Sequence, residues 1–191
     1  MRNKTLLIVL SSLFTLSPLG GEISYVDLGW EAGACQVDCA ALLTKRLKEI
    51  SAVARVDVAV GEGKARLYWR PNAAYSYQTI RNAISWVGIG VRRMSIKVRG
   101  TLSHDAQYIY LTSIGDGTRF QLLNPVGSSS LYIPDRNRSV RRLSPEIRAQ
   151  FLDYEKQNAI LTISGDLLDF YRPPNTLLME NVKVLLPGEE S

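Results

Sequence analysis

VDVAVGEGKARLYW, residues Val56 to Trp69, decides how the first half of this chain reads. Val56, Val58 and Val60 alternate with Asp57 and Ala59, and Leu67 and Trp69 alternate with Arg66 and Tyr68. That period of two is the signature of strands with one face in a core. Gly61-Glu62-Gly63 lies between the runs and supplies a turn, so the stretch is expected to be a β-hairpin. Upstream, within Gln36 to Ile50, the residues Ala40, Leu43, Leu47 and Ile50 fall on one stripe at helical spacing, with Lys45, Arg46, Lys48 and Glu49 on the wet side. Downstream, Pro71-Asn72 closes the hairpin and Ser76 offers a helix cap. Ile80, Ala83, Ile84 and Val87 then form an apolar face that Gly88 and Gly90 end. A strand over Ile23 to Leu28 (ISYVDL) and a short one over Val91 to Ser95 complete the order β-α-β-β-α-β.

This order predicts a ferredoxin-like sandwich over residues 22–95, in which two helices cover one face of an antiparallel sheet. The loop into its first helix reads Gly33-Ala34-Cys35-Gln36-Val37-Asp38-Cys39, and Cys35 and Cys39 are the only two cysteines of the chain. A thiolate at a helix amino end feels the positive end of the dipole, which lowers its pKa and readies it for a soft metal or for oxidation. The spacing admits both a disulfide and a shared metal ion. With its cysteine pair in the first loop, the layout resembles the heavy-metal-associated domain family. In that family a Met-x-Cys-x-x-Cys run joins the first strand to the first helix and holds Cu(I), Zn(II) or Hg(II). Here the cysteines stand one residue further apart and no Met precedes them. The resemblance, which covers residues 23 to about 95, implies a thiophilic metal ion, Cu(I) or Zn(II), held by Cys35 and Cys39.

The amino end fixes the expected compartment. Arg2 and Lys4 precede an uncharged run from Thr5 to Leu16, followed by Ser17-Pro18 and Gly20-Gly21. This is the order of a secretory signal, expected over residues 1–21, and the run is shorter than the roughly 20 residues a membrane span needs. The remaining chain is expected to be periplasmic or secreted, with no membrane span after signal removal. In an oxidising compartment a sole cysteine pair also reads as a disulfide. At 46% apolar and 21% charged residues, the 191-residue chain can build a globular core, which excludes disordered and multi-span classes. The net charge of +5 is compatible with an anionic partner and too small to name one.

The second half turns β-rich. Strands are expected over Ile96 to Ser103, Tyr108 to Ile114 and Arg119 to Asn124, with Asp116-Gly117 as a hairpin turn and a loop from Pro125 to Asp135. Ser144-Pro145-Glu146 has the order of a helix start, and two more strands follow over Ala159 to Gly165 and Leu177 to Leu186. Three strands, a helix and two strands match the order of an OB-like five-stranded β-barrel over residues 96–191. Such barrels bind oligonucleotides, oligosaccharides or proteins across strands two and three. Tyr108, Tyr110 and Phe120 are therefore candidate stacking residues, with Arg119 adding charge. Arg136, Arg138, Arg141 and Arg142 cluster in RNRSVRR and suit a phosphate or an acidic partner.

No nucleic acid partner is expected, and no catalytic constellation stands out. Ser103-His104-Asp105 are chain neighbours whose side chains diverge, and Gly61-Glu62-Gly63 is too short for a dinucleotide loop. The sequence thus predicts an α+β, exported, non-catalytic protein that binds a thiophilic metal through its cysteine pair. The alternative is an envelope adaptor in which the same cysteines form a disulfide and the barrel binds a protein or glycan.

Overall fold

The computed structural model describes residues 22–31, 37–124 and 142–188. The expected signal segment, Cys35 and the arginines Arg136, Arg138 and Arg141 lie outside the described residues. The elements are β1 (Ile23–Gly29), α1 (Val37–Lys48), β2 (Val53–Ala59), β3 (Lys64–Trp69), α2 (Tyr77–Ser85), β4 (Arg93–His104), β5 (Ile109–Ser113), β6 (Arg119–Leu123), α3 (Pro145–Lys156), β7 (Ile160–Leu168) and β8 (Asn175–Leu185). No helix among the described residues is long and apolar enough to cross a membrane.

The hairpin expected from Val56 to Trp69 forms as β2 and β3, closed by a short 3-10 turn at Val60–Glu62, where Gly63 takes φ 63°. A left-handed backbone is cheap there because glycine has no Cβ. β1 pairs with β3 and with β4, giving the antiparallel order β2-β3-β1-β4. Val26, Leu28, Leu67, Val56 and Met94 are buried with Leu43 and Leu47 of α1 and with Ile80 and Ile84 of α2. Their strand alternates Tyr25, Asp27, Arg66 and Tyr68 stay at least partly exposed on the opposite face. Ser76 caps α2 by accepting from the Thr79 N–H, and Ser144 caps α3 by accepting from that of Ile147, with Pro145 opening the helix.

A closed five-stranded barrel follows: β4 pairs with β5, β5 with β6, β6 with β8 in parallel, β8 with β7, and β7 returns to β4. The strands expected over Val91 to Ser95 and Ile96 to Ser103 are in fact the single strand β4, so the expected boundary at residue 95 falls inside it. One edge of β4 pairs first with β1 (Arg93 to Val98) and then with β5 (Gly100 to His104). The other edge pairs with β7 from Ser95 to Thr101. Met94, Ile96, Val98 and Leu102 keep an unbroken inward alternation along it. Gly100 sits where the partner changes from β1 to β5, and a Cβ there would lie 2.3 Å from the Thr112 carbonyl oxygen.

One apolar cluster runs through both halves, from Leu43 and Ile80 to Phe120, Leu161 and Leu177. Tyr75, between β3 and α2, bridges them. Its ring lies 6.0 Å from Trp69 on one side and 6.0 Å from Phe120 on the other. Its hydroxyl donates to Met94 Sδ at 3.1 Å, and its backbone N–H donates to Asp116 Oδ2 at 3.2 Å in the β5–β6 turn. Burial pushes the Tyr75 hydroxyl well above the ordinary tyrosine range.

Candidate functional site

Cys39 stands in the first turn of α1, half-buried against the core. No described cysteine is free, and Cys35, the other half of the expected pair, lies outside the described residues. A soft metal binds thiolates, so a thiophilic ion held by this pair would need both sulfurs reduced and deprotonated. Among the described residues no group of three His, Cys, Asp or Glu side chains is placed to hold a metal.

On the barrel the structure brings together four of the eight residues singled out for partner binding. Ile109 and Leu111 of β5 point into the core, which turns Tyr110 outward. The Tyr108 and Tyr110 rings meet edge to face at 6.5 Å. The Arg119 guanidinium lies 4.2 Å from the Tyr110 ring centroid, and that of Arg142 lies 5.4 Å from the Tyr108 centroid. The result is a row Arg142, Tyr108, Tyr110, Arg119. A guanidinium stacked on a ring keeps its in-plane N–H donors available to a carboxylate or phosphate. Beside the row, Tyr108, Leu122, Arg142, Leu143 and Arg148 line part of a hollow of about 280 Å³.

Phe120 does not belong to this row, which corrects the sequence expectation: it is fully buried. It follows Arg119 directly in β6, and consecutive strand residues point to opposite faces, so an outward Arg119 forces Phe120 inward.

Asp105, which is not among the candidate binding residues of the sequence, anchors the row. Its carboxylate accepts the backbone N–H groups of Gln107 and Tyr108, both at 2.7 Å, and the Tyr110 hydroxyl at 2.8 Å. The Tyr108 N–H, then the Tyr110 hydroxyl and the Gln107 N–H, hold the Asp105 carboxyl below the ordinary carboxylate range. Conversely, the bond to Asp105 raises the Tyr110 hydroxyl above its usual value. Arg148 of α3 donates to the Asp105 backbone oxygen at 2.9 Å, tying the turn to the helix. The signal was present in the sequence, since an Asp opening a turn commonly accepts N–H groups two and three residues on. Its neighbour His104 turns away and places Nδ1 2.7 Å from Glu155 Oε2 on α3.

A second polar surface, absent from the sequence expectations, lies on the sheet face opposite α1 and α2. Tyr25 and Tyr68 are cross-strand partners, with Arg66 4.1 Å over Tyr25 and Arg55 3.8 Å over Tyr68. Arg66 donates to both Asp27 oxygens, at 2.7 and 2.8 Å, and this pairing holds Arg66 protonated above the usual arginine range. Arg93 reaches from β4 to Asp166 at 2.8 Å and to Glu180 at 3.0 Å. Tyr68, Arg66 and Arg93 line part of a cleft of about 640 Å³ in which Lys64, Arg66 and Arg93 are matched by Asp27, Asp57 and Glu180. With its charges compensated internally, this cleft has less to offer an anion than the arginine row. Comparison with protein families, curated proteins and solved structures finds no match to this chain.

Proposed function

We propose that this chain is an exported, non-catalytic binding protein whose barrel docks an acidic polypeptide, with a Cys35–Cys39 disulfide fastening the entry to α1. The observation that carries this reading is the row Arg142, Tyr108, Tyr110, Arg119, in which two guanidinium groups are ordered on ring faces and held ready for carboxylates. In sequence, Arg136, Arg138 and Arg141 precede Arg142 and make that stretch strongly basic. A ferredoxin-like first unit is supported by the strand order β2-β3-β1-β4, and an OB-like second unit by the parallel β6–β8 closure with α3 between β6 and β7.

The docking reading predicts that a fluorescent poly-glutamate peptide binds in a salt-sensitive manner, followed by anisotropy. Tyr110→Ala, Arg119→Glu and Arg142→Glu should each weaken it by about tenfold or more, the loss typical of a central contact. Arg55→Glu, on the other face, should leave it unchanged. No binding, or equal weakening by all four, rejects the barrel row, and preference for an acidic glycan over the peptide rejects a polypeptide partner.

The disulfide is supported by the absence of a free cysteine among the described residues in a chain with only two cysteines. Intact mass of freshly isolated protein should be two hydrogens below the dithiol, and Cys39→Ser should lower stability by about 2 kcal/mol, the entropy term for so short a loop. A mass equal to the dithiol refutes it. Capture of a thiophilic ion, the role implied by the heavy-metal-associated resemblance, requires the pair to be reduced first. It would show as uptake of Cu(I) or Zn(II) only after reduction.

A further inference from the structure

We propose that the outer face of α1 and α2 docks on an anionic lipid bilayer. Trp86, just past α2, is 72% exposed, whereas Trp30 and Trp69 are 7% and 5% exposed. Leu42 of α1 is also exposed, and Arg46, one helical turn further, sets its guanidinium 5.4 Å from the Trp86 ring centroid. Leu42, Arg46 and Trp86 therefore form one patch. Arg46 Nε is buried there without a hydrogen-bond partner in the protein.

Charge selects the occupant. Lys45 and Lys48 of α1 and Arg81 of α2 are exposed and form no ion pair among the described residues. Glu49 is taken up by Arg46 at 3.0 Å, and the only acid within the two helices by sequence is Asp38, in the first turn of α1. On the opposite sheet face, by contrast, Arg55, Lys64, Arg66 and Arg93 are each bonded to a carboxylate. An indole prefers the boundary between headgroups and acyl chains, and unpaired lysine and arginine on the same two helices are drawn to anionic headgroups. One Trp and one Leu expose too little apolar surface for a stable protein interface, which buries some 1,200–2,000 Å². A bilayer needs only shallow insertion, and the attraction should weaken with salt.

The three tryptophans make the test direct, because Trp30 and Trp69 are shielded and the run Thr5 to Leu16 contains none. The full chain is mixed with vesicles of phosphatidylglycerol and phosphatidylcholine, or of phosphatidylcholine alone, with and without brominated acyl chains. Expected are a blue shift and bromine quenching of Trp86 on the anionic vesicles only. Both should be reduced severalfold by Lys45→Glu/Lys48→Glu and lost in Trp86→Ser, a solvent-side change that leaves the fold intact. No quenching, or equal quenching on both vesicle types, overturns the proposal. A blue shift that grows with protein concentration without lipid would instead assign the face to a second copy of the chain, and also overturns it.

Discussion

Phe120→Ala is expected to cost about 3–5 kcal/mol of stability, the range for emptying a fully buried aromatic site. The ring has no exposed surface and lies 6.0 Å from Tyr75, which in turn meets Trp69, so its loss opens a cavity where the barrel core joins that of the helical layer. Urea denaturation measures it, and because one cluster spans both halves the transition should stay single and move as a whole. Tyr110→Ala, ten residues earlier and facing outward, should shift stability by less than about 1 kcal/mol while impairing docking. The reverse pattern, a mild Phe120→Ala that loses binding and a destabilising Tyr110→Ala, would mean that the faces of β5 and β6 are misassigned.

Gly165→Val is the second large effect, at about 3 kcal/mol or more. A Cβ on Gly165 would lie 1.9 Å from the Leu178 carbonyl oxygen and 2.9 Å from its carbon. The clash is with backbone, and Leu178 is held on both edges, by Leu123 of β6 and by Asp166 of β7. Relief therefore requires the barrel to loosen where the β7–β8 register already shifts, between Ser164 and Gly165. Gly61→Ala is the control. Nothing lies within 4 Å of its Cβ, so a change within about 0.5 kcal/mol is expected. Thermal melts of the two variants should separate widely, and similar melting points would contradict the close approach at Gly165.

Much of this architecture was legible because local signals agreed with one another. The hairpin of β2 and β3 followed from period-two alternation around Gly61-Glu62-Gly63, and the caps at Ser76 and Ser144 from their place before apolar helical stripes. The sequence of β4 reads as two strands because its residues state only which face is inward. That one edge serves β1 and then β5 is decided by chain segments far away in sequence. The docking row was half legible. Tyr108, Tyr110, Arg119 and Arg142 carry suitable chemistry in the sequence, but excluding Phe120 required holding to strand alternation from Arg119 onward. The Tyr25–Tyr68 surface was hidden for a different reason. Each residue is an unremarkable solvent-side strand position, and only the β1–β3 register sets them side by side.

The most direct test of the docking row is a titration of ¹⁵N-labelled protein with the poly-glutamate peptide, followed residue by residue. Docking on the barrel predicts that the saturating shifts cluster at Tyr108, Tyr110, Arg119, Arg142 and the Arg148 side chain, with the Asp27, Arg66 and Tyr68 signals unmoved. Shifts centred on the sheet face of β1 and β3, or spread evenly over all exposed lysines and arginines, would contradict it.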